Sequence, residues 1–193
     1  MKGRILPRSF YARPTVEVAR DLLGKYLVHG GCAGVIVETE AYLGTGDIAA
    51  HSAAGITDRT RVIFGPPGHA YVYLSYGMHE CFNITAEQEG EAGCVLIRAL
   101  EPVAGLDTMR TRRPGAIHSR DLANGPGKLA KAMGITRGLY GRDLTRGDFV
   151  VRDATPQLPV DIAVTPRIGI TKSADLPLRF FIRNSPYASR HSQ

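Results

Sequence analysis

The chain has 193 residues, 44% hydrophobic and 22% charged, a balance suited to one globular domain with a sizeable core. Its net charge of +6 is compatible with a polyanionic partner without identifying one; arginine supplies most of the cations, which fits phosphate binding and an arginine-rich genome equally well. Three cysteines with no CxxC pair argue against a disulfide framework or a thiolate zinc site. No apolar run approaches the roughly 18 residues of a membrane span, and no signal core opens the chain, so a cytoplasmic location is expected.

Residues 1–13 read as a basic N-terminal arm carrying Lys2, Arg4, Arg8 and Arg13. Thr15 is a candidate N-cap for a helix running to Leu23, with Val16, Ala19, Leu22 and Leu23 as its buried stripe and Gly24 as its stop. Strands are expected at 26–28 and 34–43, joined by the Gly-rich turn HGGCAG. In the second strand, alternation places Val35, Val37, Thr39 and Ala41 on one face and Ile36, Glu38, Glu40 and Tyr42 on the other.

Residues 44–68 form a long loop, and long loops in compact domains are often functional. Strands at 70–76 and 78–85 meet at a tight break, Tyr76-Gly77, and another strand spans 94–100. A helix is expected after Glu101-Pro102, ending near Arg112. A basic irregular stretch follows over 113–124, then a short helix after Gly125-Pro126-Gly127 that stops at Gly134. Short strands at 148–152, 160–164, 167–171 and 178–183 complete the chain. The expected fold is α+β: a single compact domain over 1–193, with a curved, mainly antiparallel sheet and peripheral helices.

Glu38 and Glu40 lie roughly 6.6 Å apart along one strand face, and paired carboxylates are ordinary equipment for glycosidic hydrolysis. A solvated strand face is the plain alternative for an isolated pair, but this strand is otherwise apolar and leads into the long loop. Arg98 stands between Ile97 and Ala99 in an apolar strand, so it needs a buried partner, and Glu38 or Glu40 can be that partner. Asn83 alternates out of an apolar strand and is expected to be buried and hydrogen-bonded. Tyr71 and Tyr73 share a face that is either core or pocket. Tyr76 at a hairpin tip is harder to explain as packing, and an aromatic there can wedge into a base stack. His51 has no second histidine at ligand spacing, which favours a pocket hydrogen bond over a metal. NGPGKL at 124–129 sets Gly-rich backbone and Lys128 at a helix start, either an anion site or a plain glycine turn.

Together, VETEAYLG at 37–44, AAHS at 49–52, FGPPGHAYVYLSYGM at 64–78, CFN at 81–83, VLIRALEP at 95–102, GLDTMR at 105–110, NGPGKL at 124–129 and PLRFFIRNSP at 177–186 resemble the alkyladenine (3-methyladenine) DNA glycosylases. The resemblance runs from about Arg8 to Ser189 with the blocks in order. It implies that Glu40 is the general base that deprotonates the attacking water and that Arg98 holds that carboxylate and water. It implies that Tyr42, His51, Tyr73 and Ile168 line the pocket of a flipped base, that Asn83 crowds a guanine amino group, and that Tyr76 is the DNA wedge. Gly127, Lys128, Arg110 and Arg59 are the expected phosphate contacts. The implied partner is double-stranded DNA containing damaged purines, met by a monomer without metal or organic cofactor. Two positions depart from the family pattern: Thr60 where many relatives have Asn, and His79 where many have an aromatic. Other readings are a sugar hydrolase using Glu38 and Glu40, and a non-catalytic binder of damaged DNA.

Overall fold

The computed structural model describes residues 3–153 and 160–189. Its spine is one long strand, β2 (Cys32–Leu43), which pairs along nearly its whole length with a second long strand, β5 (Gly93–Ala104). On its other edge β2 has two successive partners. Its first residues pair with β1 (Tyr26–His29), and Glu38–Glu40 pair with β8 (Arg179–Ile182). β3 (Ala70–Ser75) and β4 (His79–Thr85) form a hairpin beyond β5, β6 (Val150–Arg152) extends the sheet beyond β1, and β7 (Ile162–Thr165) pairs with β8. All of these pairings are antiparallel, as expected for the α+β reading.

The helices are peripheral: α1 (Arg8–Tyr11), α2 (Thr15–Asp21), α3 (Leu106–Arg112) and α4 (Pro126–Met133). Leu22, Leu27, Phe82, Ile84, Ile97, Leu129, Met133 and Phe149 meet in the single large core between helices and sheet. Within the described residues no helix is long and apolar enough to cross a membrane.

Several expectations are corrected. The strand at 94–100 continues through Glu101-Pro102 to Ala104, and α3 starts only after Gly105, whose φ of 71° turns the chain. Pro102 is tolerated in the strand because the ladder is already interrupted beside it, where the register shifts between Ala33 and Gly34. Residues 167–171 form no strand: the Ile168 N–H turns to a side chain instead of a ladder. Alternation in β2 breaks at a bulge beside Glu38, where Ile36 faces Leu100 but Glu38 faces Ala99. Ile36 consequently joins Ala41 in the core instead of sharing the face of Glu40.

Thr15 is the first helical residue, not the cap; its N–H and hydroxyl both donate to Glu87 Oε1 at 2.6 Å. The N-terminal segment is packed down. Leu6 and Tyr11 are buried, Arg8 pairs with Asp143, and Arg13 pairs with Asp21. Lys2 lies outside the described residues.

Candidate active site

The β3–β4 hairpin, Tyr42 near the end of β2, the first half of β5 and the loops around His51 and Ile168 enclose a cavity of about 540 Å³. That is within the usual range for small-molecule pockets. Tyr42, His51, Tyr73, Tyr76, Asn83, Arg98 and Ile168 all line it, as do Arg59 and Tyr71. Seven residues named from the sequence as catalytic, pocket or wedge groups are thus gathered from five separate segments.

Glu40 is the exception, for it lies beneath the lining with no exposed surface. It sits on β2 between Leu96 of β5 and Arg179 of β8. Its Oε1 accepts the Ile168 N–H at 2.8 Å and faces an Arg98 nitrogen at 3.2 Å. Its Oε2 accepts the Tyr42 hydroxyl at 3.0 Å. Burial and the charge of Glu40 push the Tyr42 phenol far above its ordinary range, so it stays a proton donor here.

Glu38 is equally buried and, like Glu40, does not itself line the cavity. Oε1 accepts from Arg98 Nε at 3.0 Å and from Arg179 Nε at 2.7 Å; Oε2 accepts from the Ser189 N–H at 2.6 Å and its hydroxyl at 2.5 Å. Burial works against its charge most strongly, but Arg98, Ser189 and Arg179 together outweigh it and hold the carboxyl below its usual range. Arg98 therefore serves both carboxylates, where sequence left one or the other open.

His51 begins a 3₁₀ turn (His51–Ala54) and packs edge-on to Tyr73, ring centroids 4.6 Å apart. Its Nδ1 is 2.8 Å from the Tyr71 hydroxyl, and its Nε2 is 3.3 Å from an Arg59 nitrogen. Arginine can only donate, so Nε2 accepts, and the ring proton is assigned to Nδ1. Burial, helped by Arg59, lowers the His51 pKa to about 4, so the ring is neutral at physiological pH. The Arg59 guanidinium also lies 5.1 Å from the Tyr73 ring centre, which puts it in the cavity wall. Asn83 is buried, donating to the Tyr71 carbonyl at 3.2 Å.

Tyr76 is 85% exposed at the hairpin tip. Its φ of 48° and the 69° of Gly77 are both left-handed, and the Met78 N–H closes the turn onto the Ser75 carbonyl at 3.0 Å. A left-handed backbone of this kind is rare for a tyrosine. Pro126, opening α4, lines the same cavity, and Gly127 touches His79 so closely that an added Cβ would sit 2.9 Å from the His79 Cβ. Lys128 donates to Asn124 at 2.9 Å and is exposed nearby. Arg110 is paired with Asp107 on α3 and does not line the cavity. Thr60 is buried and holds the Gly55 carbonyl at 2.7 Å. Among the described residues, no three potential metal ligands converge.

Sequence reading missed a second buried pair. Arg167 reaches both oxygens of Asp47, at 2.6 and 2.8 Å, with neither side chain exposed. Its guanidinium lies 4.5 Å from the Tyr42 ring centre, bracing that ring from outside the cavity lining. Neither residue stands in an apolar strand, the signal that exposed Arg98.

The cavity is walled by aromatics and floored by residues that cover a buried carboxylate. Residues 9–186 match the model of a family described as methylpurine-DNA glycosylase. The chain belongs to that family and is a DNA glycosylase. Three relatives carry the name "Putative 3-methyladenine DNA glycosylase". One from Methanoculleus marisnigri is 55% identical, covering 96% of this chain and 98% of its own length. One from Rhodopseudomonas palustris is 52% identical, covering 97% and 89%, and one from Chlorobaculum parvum is 50% identical, covering 95% and 90%.

Proposed function

We propose that the protein is a monofunctional glycosylase that flips alkylated or deaminated purines out of duplex DNA and hydrolyses their N-glycosidic bond with water activated by Glu40. The observation that carries this reading is the division of labour at Glu40. One oxygen is held by Arg98 and the Ile168 N–H, the other by the Tyr42 hydroxyl, and all three neighbours line the cavity.

A base inside a duplex is out of reach, so it must be extruded. Lys128, the Gly127 N–H, Arg110 and Arg59 supply sequence-independent phosphate affinity, and Tyr76 fills the vacated stack. In the pocket the purine stacks among Tyr42, His51 and Tyr73, recovering about 1–3 kcal/mol. A cationic alkylpurine gains further from the aromatic faces, and neutral His51 does not repel it. Asn83 crowds the amino group of an ordinary guanine. Water reaches Glu40 Oε2 as the Tyr42 hydroxyl gives way. Glu40 takes its proton, the oxygen bonds to C1′, and the purine departs with the C1′–N electron pair. A cationic purine leaves as a neutral base; hypoxanthine or ethenoadenine requires a proton on the ring. Among the described residues no lysine lines the cavity, which favours water over a Schiff base as nucleophile. One copy of the chain supplies every residue of this scheme.

The test is single-turnover excision from duplexes carrying one methylated purine, hypoxanthine or ethenoadenine, wild type against Glu40→Gln. Wild type should yield abasic product, and the variant should lose nearly all activity while still binding. Binding without product on any lesion would instead indicate a non-catalytic damage binder, and an adduct trapped by borohydride would overturn the water nucleophile.

A further inference from the structure

We propose that Glu38 is a positioning residue for the reaction: held by Arg179 and Ser189, it turns the Arg98 guanidinium so that Arg98 meets only one oxygen of Glu40. This rests on the reading of Glu40 as the base. A guanidinium is a planar fork that docks on a lone carboxylate through two parallel bonds. Such a grip on Glu40 would occupy both its oxygens. Here Glu38 takes Arg98 Nε at 3.0 Å, and Arg98 reaches Glu40 Oε1 at 3.2 Å through a terminal nitrogen.

Glu38 can hold Arg98 because it is anchored from the opposite side. Arg179 Nε and both donors of Ser189 fix it, and an Arg179 terminal nitrogen donates to the Ser189 carbonyl at 3.2 Å. The C-terminal segment, 151 residues from Glu38 in sequence, thereby reaches the base through one side chain.

Charge gives the same residue a second effect. The groups around Glu40 are Tyr42 and Glu38 on its own strand, Arg98 from β5, Arg179 from β8 and Arg167 from the 166–170 loop; Asp47 answers Arg167. Glu38 and Glu40 together balance Arg98 and Arg179. Without the Glu38 charge, two arginines would act on Glu40 alone. They would stabilise its carboxylate and weaken it as a base.

Single-turnover rates with enzyme in excess, measured across pH, test this. Glu38→Gln should move the acidic limb down by about one unit and lower the plateau about tenfold. Glu38→Asp keeps the charge and should leave the limb in place. Ser189→Ala leaves every buried charge and should slow excision about fivefold with DNA affinity unchanged, which keeps the test open if Glu38→Gln fails to fold. An acidic limb unmoved in Glu38→Gln, or a wild-type rate in Ser189→Ala, would overturn the proposal. If Glu40→Gln stays active, the base assignment itself fails; if it is inactive while the Glu38 variants behave like wild type, only the positioning role fails.

Discussion

The Tyr42 hydroxyl donates to Glu40 Oε2 at 3.0 Å from two positions further along the same strand, so one residue contributes both a cavity wall and a cover for the carboxylate. Tyr42→Phe keeps the ring and removes the donor. A hydrogen bond to a carboxylate favours its charged form, and Tyr42→Phe removes that support from Glu40. The acidic limb of the single-turnover pH profile should move up, opposite to Glu38→Gln. A limb that stays put would separate Tyr42 from proton transfer.

The Asp47–Arg167 pair is buried on both sides and bonded twice. Asp47→Asn leaves a buried guanidinium without its counter-charge, which typically costs about 3–5 kcal/mol. Urea unfolding should show that loss, and adding Arg167→Met should recover much of it. Additive losses in the double variant would show that the two residues act separately.

At the hairpin tip, Tyr76 holds a φ of 48°, which asparagine tolerates better. Tyr76→Asn should therefore leave thermal stability unchanged or slightly raised. Base flipping, followed by 2-aminopurine fluorescence beside the lesion, should become weak. Flipping equal to wild type would remove Tyr76 as the wedge.

His51 gives a stability slope with a defined sign. Its folded pKa of about 4 lies below the ordinary value of 6.5, so the unfolded chain binds the extra proton first. The contribution of the neutral ring is complete above pH 6.5 and is lost as pH falls towards 4. Melting temperatures between pH 7 and 4 should fall less steeply in His51→Gln than in wild type. Parallel curves would contradict the depressed value.

What could be read from sequence was local contrast. Arg98 and Asn83 stood out because polar groups interrupted apolar strands, and Tyr76 because an aromatic preceded a glycine at a strand break. Relationships set by distant chain segments were invisible. Asp47 and Arg167 are 120 residues apart, and each lies in an irregular segment with no period to betray burial. The bulge beside Glu38 also carried no local mark, and it moved Ile36 into the core against strict alternation. Family resemblance gave Glu40 its expected role, but only the packing showed that the carboxylate is roofed over.

The left-handed hairpin tip bears on how such a molecule would search a genome. Both central residues hold left-handed backbone, and strand pairing braces the hairpin on either side of them. On the proposed reading, a wedge presented in this way would do its distorting work on the duplex. Which sites yield would then be decided by the local softness of the DNA: a base pair already weakened by damage would open readily, while sound stacking would spring back. With Tyr76 as the wedge, the first screen for damage is mechanical, and the aromatic pocket judges only what that screen lets through.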